Sequence, residues 1–213
     1  MNKILFFITL ISIASCQEPA KKTPTQEAIA KAYGIDHWDK VNTLNFTFNV
    51  DRDTSHFERT FIWEPKTKNV TYMSVTDTVS FHQDSIKRVS LIADKTFIND
   101  KYWLLAPFQL LWDKNVTFTE KESVAAPISK ETLNVLTITY PSEGGYTPGD
   151  AYDFYYGSDF LIKEWVFREK NSPSPSLVYT WEDTQEIAGI NFCTMHKDST
   201  GTKKIYFTNL SVN

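Results

Sequence analysis

Alternation of apolar and polar residues is the feature that most constrains how this chain folds. In LNFTFNV, residues 44–50, every second side chain is apolar. Successive side chains of a strand point to opposite faces of a sheet, so this spacing is typical of a half-buried antiparallel strand. The same pattern recurs in FERTFIW, VTYMSV, TVSFHQD, IKRVSL, VTFTEKE, LNVLTITYP, AYDFYYG, FLIKEWVFREK, SLVYTWEDT, INFCTMHKD and KKIYFTNLSV. The chain is therefore predicted to be mainly β with few helices (α+β), built on one large, twisted antiparallel sheet of about eleven strands.

Two segments depart from this rhythm and have helical spacing. The first follows Thr25, a candidate N-cap, and stops at Gly34, with a resumption over residues 36–40. The second lies within SLIADKTFINDKYWLLAPFQLLWD, where a helix is predicted up to about Tyr102, then a break, then a short helix from Pro107 to Trp112. These helical segments are what the sequence offers to cover one face of the sheet.

The opening residues MNKILFFITLISIASC have the order of an export signal. Lys3 precedes an apolar run from Ile4 to Ile11, and small or apolar residues precede Cys16. The run is shorter than the roughly 20 residues that a membrane-spanning helix needs. Ile13-Ala14-Ser15-Cys16 also resembles the bacterial lipobox, which implies an acylated cysteine. We expect residues 1–15 to be a signal peptide and Cys16 to carry lipid; secretion with Cys16 free is the alternative.

The cysteines and the residues around them set the expected organisation. Residues 16–25 are polar and rich in Pro, Lys, Gln and Thr, as in a tether, and residues 26–213 are predicted to form a single domain. Cys193 alternates within a strand pattern, where we expect a small side chain without chemistry. Gln17 stands where inner-membrane lipoproteins commonly carry Asp, which favours anchoring in the outer membrane of a Gram-negative envelope.

Composition and motifs exclude several classes of function. The formal charge is −4 and Lys and Arg form no cluster with interleaved aromatic residues, so no nucleic-acid partner is expected. Four scattered His residues form no HExxH motif, and CxxC and GxSxG motifs are lacking, so the sequence predicts neither a metal site, nor a cofactor, nor an enzyme. A hydrolase with a site assembled from distant His and carboxylate residues stays open as an alternative.

The order of segments resembles a known family. After the signal, lipobox and polar tether come AIAKAYGIDHWDKVNTLNFTF, FIWEPKTKNVTY, WLLAPFQLLWD, GDAYDFYY, FLIKEWVF, TWEDTQEIAGINF and KKIYFTNLSV. This series is similar to Bacteroidota-type Gram-negative lipoproteins of the LolA/LolB-like superfamily. The resemblance implies a half-barrel, in which an antiparallel sheet curls around short helices and leaves a hydrophobic cavity. In the best-known members that cavity accepts the acyl chains of lipoproteins; the residues they use for their exchange partners have no match here.

The aromatic content, 15 % of residues, suits either a thick core or a pocket for an apolar ligand. A curved sheet with only short helices has little material to fill its concave side, so we predict a cavity that binds a lipid or other hydrophobic ligand. An envelope interaction module with a filled core, docking a protein partner through its outer face or the GGYTPGD loop, is the alternative. Alternation and helical spacing select the candidate pocket residues Phe46, Phe48, Phe61, Trp63, Trp103, Leu104, Phe108, Leu111 and Trp112.

Overall fold

Strands and one long helix account for most of the computed structural model, which describes residues 23–213. The helices are α1 (Thr25–Ala32) and α2 (Leu91–Trp112), with 3₁₀ turns at Ile35–Lys40, Arg88–Ser90 and Glu169–Asn171. The strands are β1 (Leu44–Arg52), β2 (Ser55–Glu64), β3 (Asn69–Met73), β4 (Thr78–His82), β5 (Thr117–Ala125), β6 (Thr132–Thr139), β7 (Ala151–Tyr156), β8 (Ile162–Arg168), β9 (Leu177–Thr180), β10 (Glu182–Ile187), β11 (Ile190–Lys197) and β12 (Lys203–Val212). Strands hold 46 % of the described residues and helices 22 %, which confirms the predicted mainly β class.

The strands form two antiparallel sheets that do not close into a barrel. Sheet A has seven strands in the order β10-β11-β12-β1-β2-β3-β4, and sheet B has five in the order β5-β6-β7-β8-β9. Within residues 23–213, a single bridge between Tyr179 and Asp198 joins the two sheets. The architecture is a curved half-barrel, with the strands of one predicted sheet divided between two.

The division falls within SLVYTWEDT, which the sequence predicts as one strand. Tyr179 pairs with Trp165 of β8 in sheet B, whereas Glu182 pairs with Met195 of β11 in sheet A. Between them, the backbone N–H of Trp181 donates to the carbonyl of Lys163 at 2.8 Å. The alternation continues across this change of partner, so the pattern of apolar residues alone does not mark it.

Helix α2 packs against both sheets and forms the centre of the core. On one side, Phe97 lies against Phe61 and Trp63 of sheet A, with ring centroids 5.5 and 5.4 Å apart. On the other side, Trp103 lies against Trp165 and Tyr179 of sheet B, at 4.5 and 5.1 Å. Aromatic pairs at these distances add to the stabilisation that comes from burying their apolar area. Both sheets therefore pack against the same helix.

The predicted break in this helix is a kink in a continuous element. Leu105 has non-helical backbone angles (φ −121°, ψ 20°), two residues before Pro107. Proline has no N–H to donate to the carbonyl four residues earlier, and its ring crowds that carbonyl, so a kink is expected there. The sequence prediction of two helices was right about the position of the irregularity and wrong about a full interruption.

Two local predictions at helix starts were wrong. IKRVSL was predicted as a strand, but it forms the 3₁₀ turn and the first residue of α2. The Ser90 hydroxyl accepts from the Lys87 backbone N–H and donates to the Lys87 carbonyl, both at 3.1 Å, which favours a turn. Thr25 is the first residue of α1 and Pro24 occupies the N-cap position.

Among residues 23–213, no helix has both the length and the apolar character to cross a membrane.

Candidate functional site

A cavity of about 740 Å³ lies between α2, sheet B and the segment that connects β6 to β7. Its size falls within the range of about 300–1,000 Å³ that is usual for small-molecule sites. The residues that line it are Lys95, Ile98, Asn99, Lys101, Tyr102, Trp103, Gln109, Asp113, Lys114, Asn115, Tyr140, Pro141, Glu143, Gly144, Gly145, Tyr146, Thr147, Tyr152, Trp165, Phe167 and Leu177.

The wall formed by sheet B is aromatic. Trp165 and Phe167 are two residues apart on β8, so they share a face, and Tyr152 of β7 lies beside both with ring centroids at 5.4 and 5.1 Å. Tyr102 and Trp103 of α2 cover this wall, the first 4.8 Å from Tyr152 and the second 4.5 Å from Trp165. Tyr152 and Trp165 are 7 % and 3 % exposed in this packing, so a ligand in the cavity meets a rigid aromatic surface over only part of its area.

The opposite part of the lining is polar and hydrogen-bonded. The Tyr140 hydroxyl donates to the Asp113 carboxylate at 2.5 Å and lies 3.4 Å from the Tyr102 hydroxyl. With the Gln109 amide oriented to suit its neighbours, its nitrogen donates to Asp113 at 2.8 Å and its oxygen accepts from the Lys101 ammonium at 3.3 Å. The cavity thus has an apolar side and a polar side, as expected of a site for an amphiphile.

Burial shifts the pKa values of the polar side. Loss of solvation lowers the pKa of Lys101 to about 8 from 10.5, partly offset by the negative charges of Asp113 and Asp94. Burial also raises the pKa of Asp113, despite the hydrogen bond from Tyr140, and raises that of Tyr102 well above its usual value. A positive charge on Lys101 is therefore held in a poorly solvated place.

The segment between β6 and β7, residues 141–149, borders the cavity as a loop. Its base is closed by the Gly149 N–H, which donates to the Pro141 carbonyl at 2.7 Å. The Tyr146 hydroxyl donates to the carboxylate of Asp94 on α2, and its side chain is 47 % exposed. Gly144 and Gly145 adopt positive φ angles of 82° and 68° in open space. One side-chain hydrogen bond thus ties a loop that contains two glycines to the helix.

The structure separates most of the predicted pocket residues from this cavity. Of the nine, Trp103 lines it. Phe46, Phe48, Phe61, Trp63, Leu104 and Phe108 are buried in the core, and Leu111 and Trp112 are half-buried. Several pack on the sheet A side of α2 around Trp38, whose ring centroid lies 5.4 Å from Trp63 and 5.6 Å from Phe108. Their role in ligand binding stays a prediction.

The aromatic residues that do line the cavity were present in segments predicted as strands. Tyr152 lies in AYDFYYG, and Trp165 and Phe167 lie in FLIKEWVFREK. The alternation within each segment identifies these side chains as sharing a face. Alternation does not identify which sheet leaves a cavity beside α2. The candidate strand residues were therefore chosen from other strands.

The hydrolase alternative depends on how the histidines are partnered, and the exposed His56 lies 2.7 Å from Asp51, outside the cavity lining. His196 is fully buried, and its Nδ1 lies 3.2 Å from the Thr180 carbonyl rather than beside a carboxylate. Burial lowers its pKa to about 3, so the ring is neutral. Within the part of the chain that is described, no three His, Cys, Asp or Glu residues are grouped to hold a metal.

Cys193 is fully buried, and its thiol donates to the Glu182 carbonyl at 2.9 Å. Desolvation raises the pKa of this thiol well above its usual value, so the reactive thiolate is disfavoured. This environment matches the predicted role of a small strand residue without chemistry. Cys16 and the predicted signal peptide lie outside the described residues.

Fold and cavity together define an open antiparallel half-barrel with an internal site. No protein-family model and no curated protein sequence matches the chain. Among solved structures, it is similar to a LolA superfamily protein from Nitrosomonas europaea, at 10 % identity and a TM-score of 0.48, and to a DUF1329 family protein from Desulfovibrio piger, at 12 % identity and 0.46. Each alignment covers 90 % of this chain and 94 % of the other. Both likenesses are remote, with TM-scores below 0.5.

Proposed function

We propose that the protein is a binding protein of the cell envelope that holds a lipid or other hydrophobic ligand between α2 and sheet B. The observation that supports this most directly is the cavity of about 740 Å³ with its aromatic wall. Apolar area removed from water contributes about 25 cal/mol per Å², so an acyl chain lying along Tyr152, Trp165 and Phe167 gains substantially from entering. The proposed activity is binding, without covalent chemistry.

The ligand is best sought in protein taken from membranes. Native mass spectrometry of the purified chain should show a bound species that organic extraction removes and lipid analysis identifies. Ile98 lines the cavity, so Ile98→Trp should obstruct it and abolish the bound species. Ile62, 37 % exposed on β2 and not part of the lining, provides the matched control Ile62→Trp, which should retain it.

A wild-type protein that is empty after such purification, and that takes up no lipid when mixed with vesicles, would contradict this function. If an envelope protein is cross-linked in stoichiometric amounts to this ligand-free protein, the result would instead favour the interaction module. The half-buried and exposed groups of the 141–149 loop, Tyr146 among them, are where such a partner should then be mapped.

We further propose that the domain is tethered to a membrane. Residues 1–15 are taken as a signal peptide, Cys16 as the lipidated residue, residues 16–25 as the tether and residues 26–213 as the domain, and the outer membrane of a Gram-negative envelope is the proposed location. The polar composition of the tether and the lipobox-like residues before Cys16 support this.

Metabolic labelling with an alkyne fatty acid should mark the wild type and not Cys16→Ala. Label that persists in Cys16→Ala would contradict it, and density-gradient separation of the two membranes tests the location.

A further inference from the structure

Each buried carboxylate in the described part of this fold has a cationic partner or accepts hydrogen bonds, but one buried ammonium has no carboxylate partner. Asp100 is fully buried and forms a bidentate pair with Arg59, at 2.5 and 2.7 Å. Glu164, 2 % exposed, accepts hydrogen bonds from the backbone N–H groups of Ile128 and Ser129 at 2.6 and 2.7 Å. Burying a charge is costly unless it is paired or hydrogen-bonded, so these partners are what the physics requires.

This ammonium is that of Lys101, which is only 9 % exposed and lines the cavity. Between residues 23 and 213, no carboxylate oxygen lies within 4.0 Å of its ammonium. The ammonium lies over the rings of Trp63 and Phe97, at 5.3 and 5.5 Å from their centroids, and its polar contact is the Gln109 amide at 3.3 Å. An ammonium has three donors, so most of its hydrogen-bonding capacity is unused by the protein.

The nearest acidic groups are occupied elsewhere. The Asp113 carboxylate accepts from Tyr140, and from the Gln109 amide when that amide is oriented to suit its neighbours. The Asp94 carboxylate accepts from Tyr146. Both act on Lys101 at longer range and favour its charged form, but neither forms an ion pair with it. The lining thus holds a buried cation that the described residues leave without a direct counter-ion.

We propose that the ligand of this cavity is an amphiphile with a singly charged anionic head, a carboxylate, bound by Lys101. The apolar chain then lies along the aromatic wall of Tyr152, Trp165 and Phe167. A single charge is favoured because one buried ammonium faces a site that already has Asp113 in its lining. Three exposed members of the lining, Lys95, Lys114 and Glu143, together add one net positive charge to the same site. This inference rests on the proposed function and specifies its ligand class.

The test compares two ligands that differ only in their heads, dodecanoic acid and dodecanol, by titration calorimetry on the delipidated full domain at pH 7. A hydrogen bond between two charged groups is stronger than one to a hydroxyl, so the acid should bind at least about tenfold more tightly than the alcohol. Lys101→Met keeps a long, apolar side chain without the charge. It should reduce the ratio of the two affinities, acid over alcohol, to about one, while the affinity for dodecanol changes less than about threefold. Lys121→Met, the matched control on an exposed lysine outside the lining, should keep the preference.

The outcomes separate the two proposals. If neither ligand binds the wild type, the proposed function fails. If both bind the wild type equally, the cavity binds apolar chains but the inference of an anionic head is wrong. If the acid is preferred and Lys101→Met keeps the preference, the head binds elsewhere and the assignment to Lys101 is wrong. Thermal unfolding of each variant shows whether it is folded, and the retained affinity for dodecanol serves as a second check on Lys101→Met.

Discussion

At the scale of single residues, buried polar groups are where the fold is most sensitive. His196 is enclosed by Trp181 and Trp103, with ring centroids 4.2 and 5.3 Å away, and its Nε2 has no hydrogen-bond partner among the described residues. The ring is held neutral because its surroundings offer little solvation for a positive charge. Protonation of this one side chain therefore opposes folding.

The pH dependence of stability follows from this. The pKa of His196 is about 3 when folded and about 6.5 when unfolded, so below pH 6.5 the unfolded chain binds the extra proton and the folded state loses stability. Between pH 6.5 and 5 the expected loss from His196 is about 2 kcal/mol, and it grows as the pH falls further toward 3. His196→Phe should abolish this loss, at a pH-independent cost of about 1 kcal/mol for the missing hydrogen bond.

The measurement is the free energy of unfolding in urea for both proteins across that range, taken as the difference between them. His56 is exposed and its pKa is raised by Asp51, so its contribution has the opposite sign, but it is common to both proteins and cancels. Equal slopes for wild type and His196→Phe would show that His196 takes up its proton without unfolding.

The Arg59–Asp100 pair gives a second expectation at this scale. Arg59→Met leaves the fully buried Asp100 without its guanidinium partner and should destabilise the fold by about 3 kcal/mol at pH 7.5. Asp100→Asn in the same chain removes the unpaired charge, so the double variant should be more stable than Arg59→Met alone. Urea unfolding of the two single variants and the double variant measures the coupling; a double variant that is less stable than both would contradict the account.

At the scale of elements, the close approach of two turns fixes how α1 sits on sheet A. Gly34, with φ 84°, ends α1, and a Cβ there would collide with the Gly189 carbonyl oxygen in the β10–β11 turn. Gly189 also has a positive φ of 80°. The sequence correctly predicted Gly34 as a helix stop, but its contact with the β10–β11 turn comes only from the fold.

Gly34→Ala should therefore be strongly destabilising. The left-handed backbone conformation alone costs about 1 to 2 kcal/mol for alanine, and the backbone clash adds about 1 to 3 kcal/mol. Gly201 has a similar φ of 71°, but a Cβ there would meet no atom within 4 Å, so Gly201→Ala incurs only the conformational cost. Thermal and urea unfolding should rank Gly34→Ala well below Gly201→Ala; equal effects would mean that the turns can move apart freely.

Elements were predictable where a local cause decides them. Alternation identified most strands, and the position of Pro107 located the kink in α2 because a missing N–H acts on its own turn. The 3₁₀ turn Arg88–Ser90 before α2 was missed, since the bonds between Ser90 and Lys87 outweighed the alternation of IKRVSL. The change of sheet at Trp181 was missed because it depends on pairing with strands distant in sequence.

At the scale of the whole molecule, the candidate site arises from how α2 divides its contacts. The predicted pocket residues Phe61 and Trp63 pack against Phe97, with ring centroids 5.5 and 5.4 Å away. The cavity lies instead on the sheet B side, beside Tyr152 and Trp165. A concave sheet and an aromatic content of 15 % made a cavity foreseeable from the sequence. Which side of the helix remains open depends on summed side-chain volumes in three dimensions.

The same division of contacts predicts how the molecule unfolds. In the described chain the sheet edges are joined by the Tyr179–Asp198 bridge and by hydrogen bonds from β11 to Thr180 of β9, and α2 packs on both sheets through Phe97 and Trp103. We expect residues 23–213, produced without the preceding segment, to unfold in one cooperative transition, with coincident urea curves from tryptophan fluorescence and far-ultraviolet circular dichroism.

Trp103→Ala should lower the free energy of unfolding by about 3–5 kcal/mol, and sheet B should be the less stable part of this variant. Hydrogen exchange then distinguishes the cases: faster exchange in β7 and β8 than in β1 and β2 is expected for Trp103→Ala, whereas two separate transitions in the wild type would show that the sheets are independent domains.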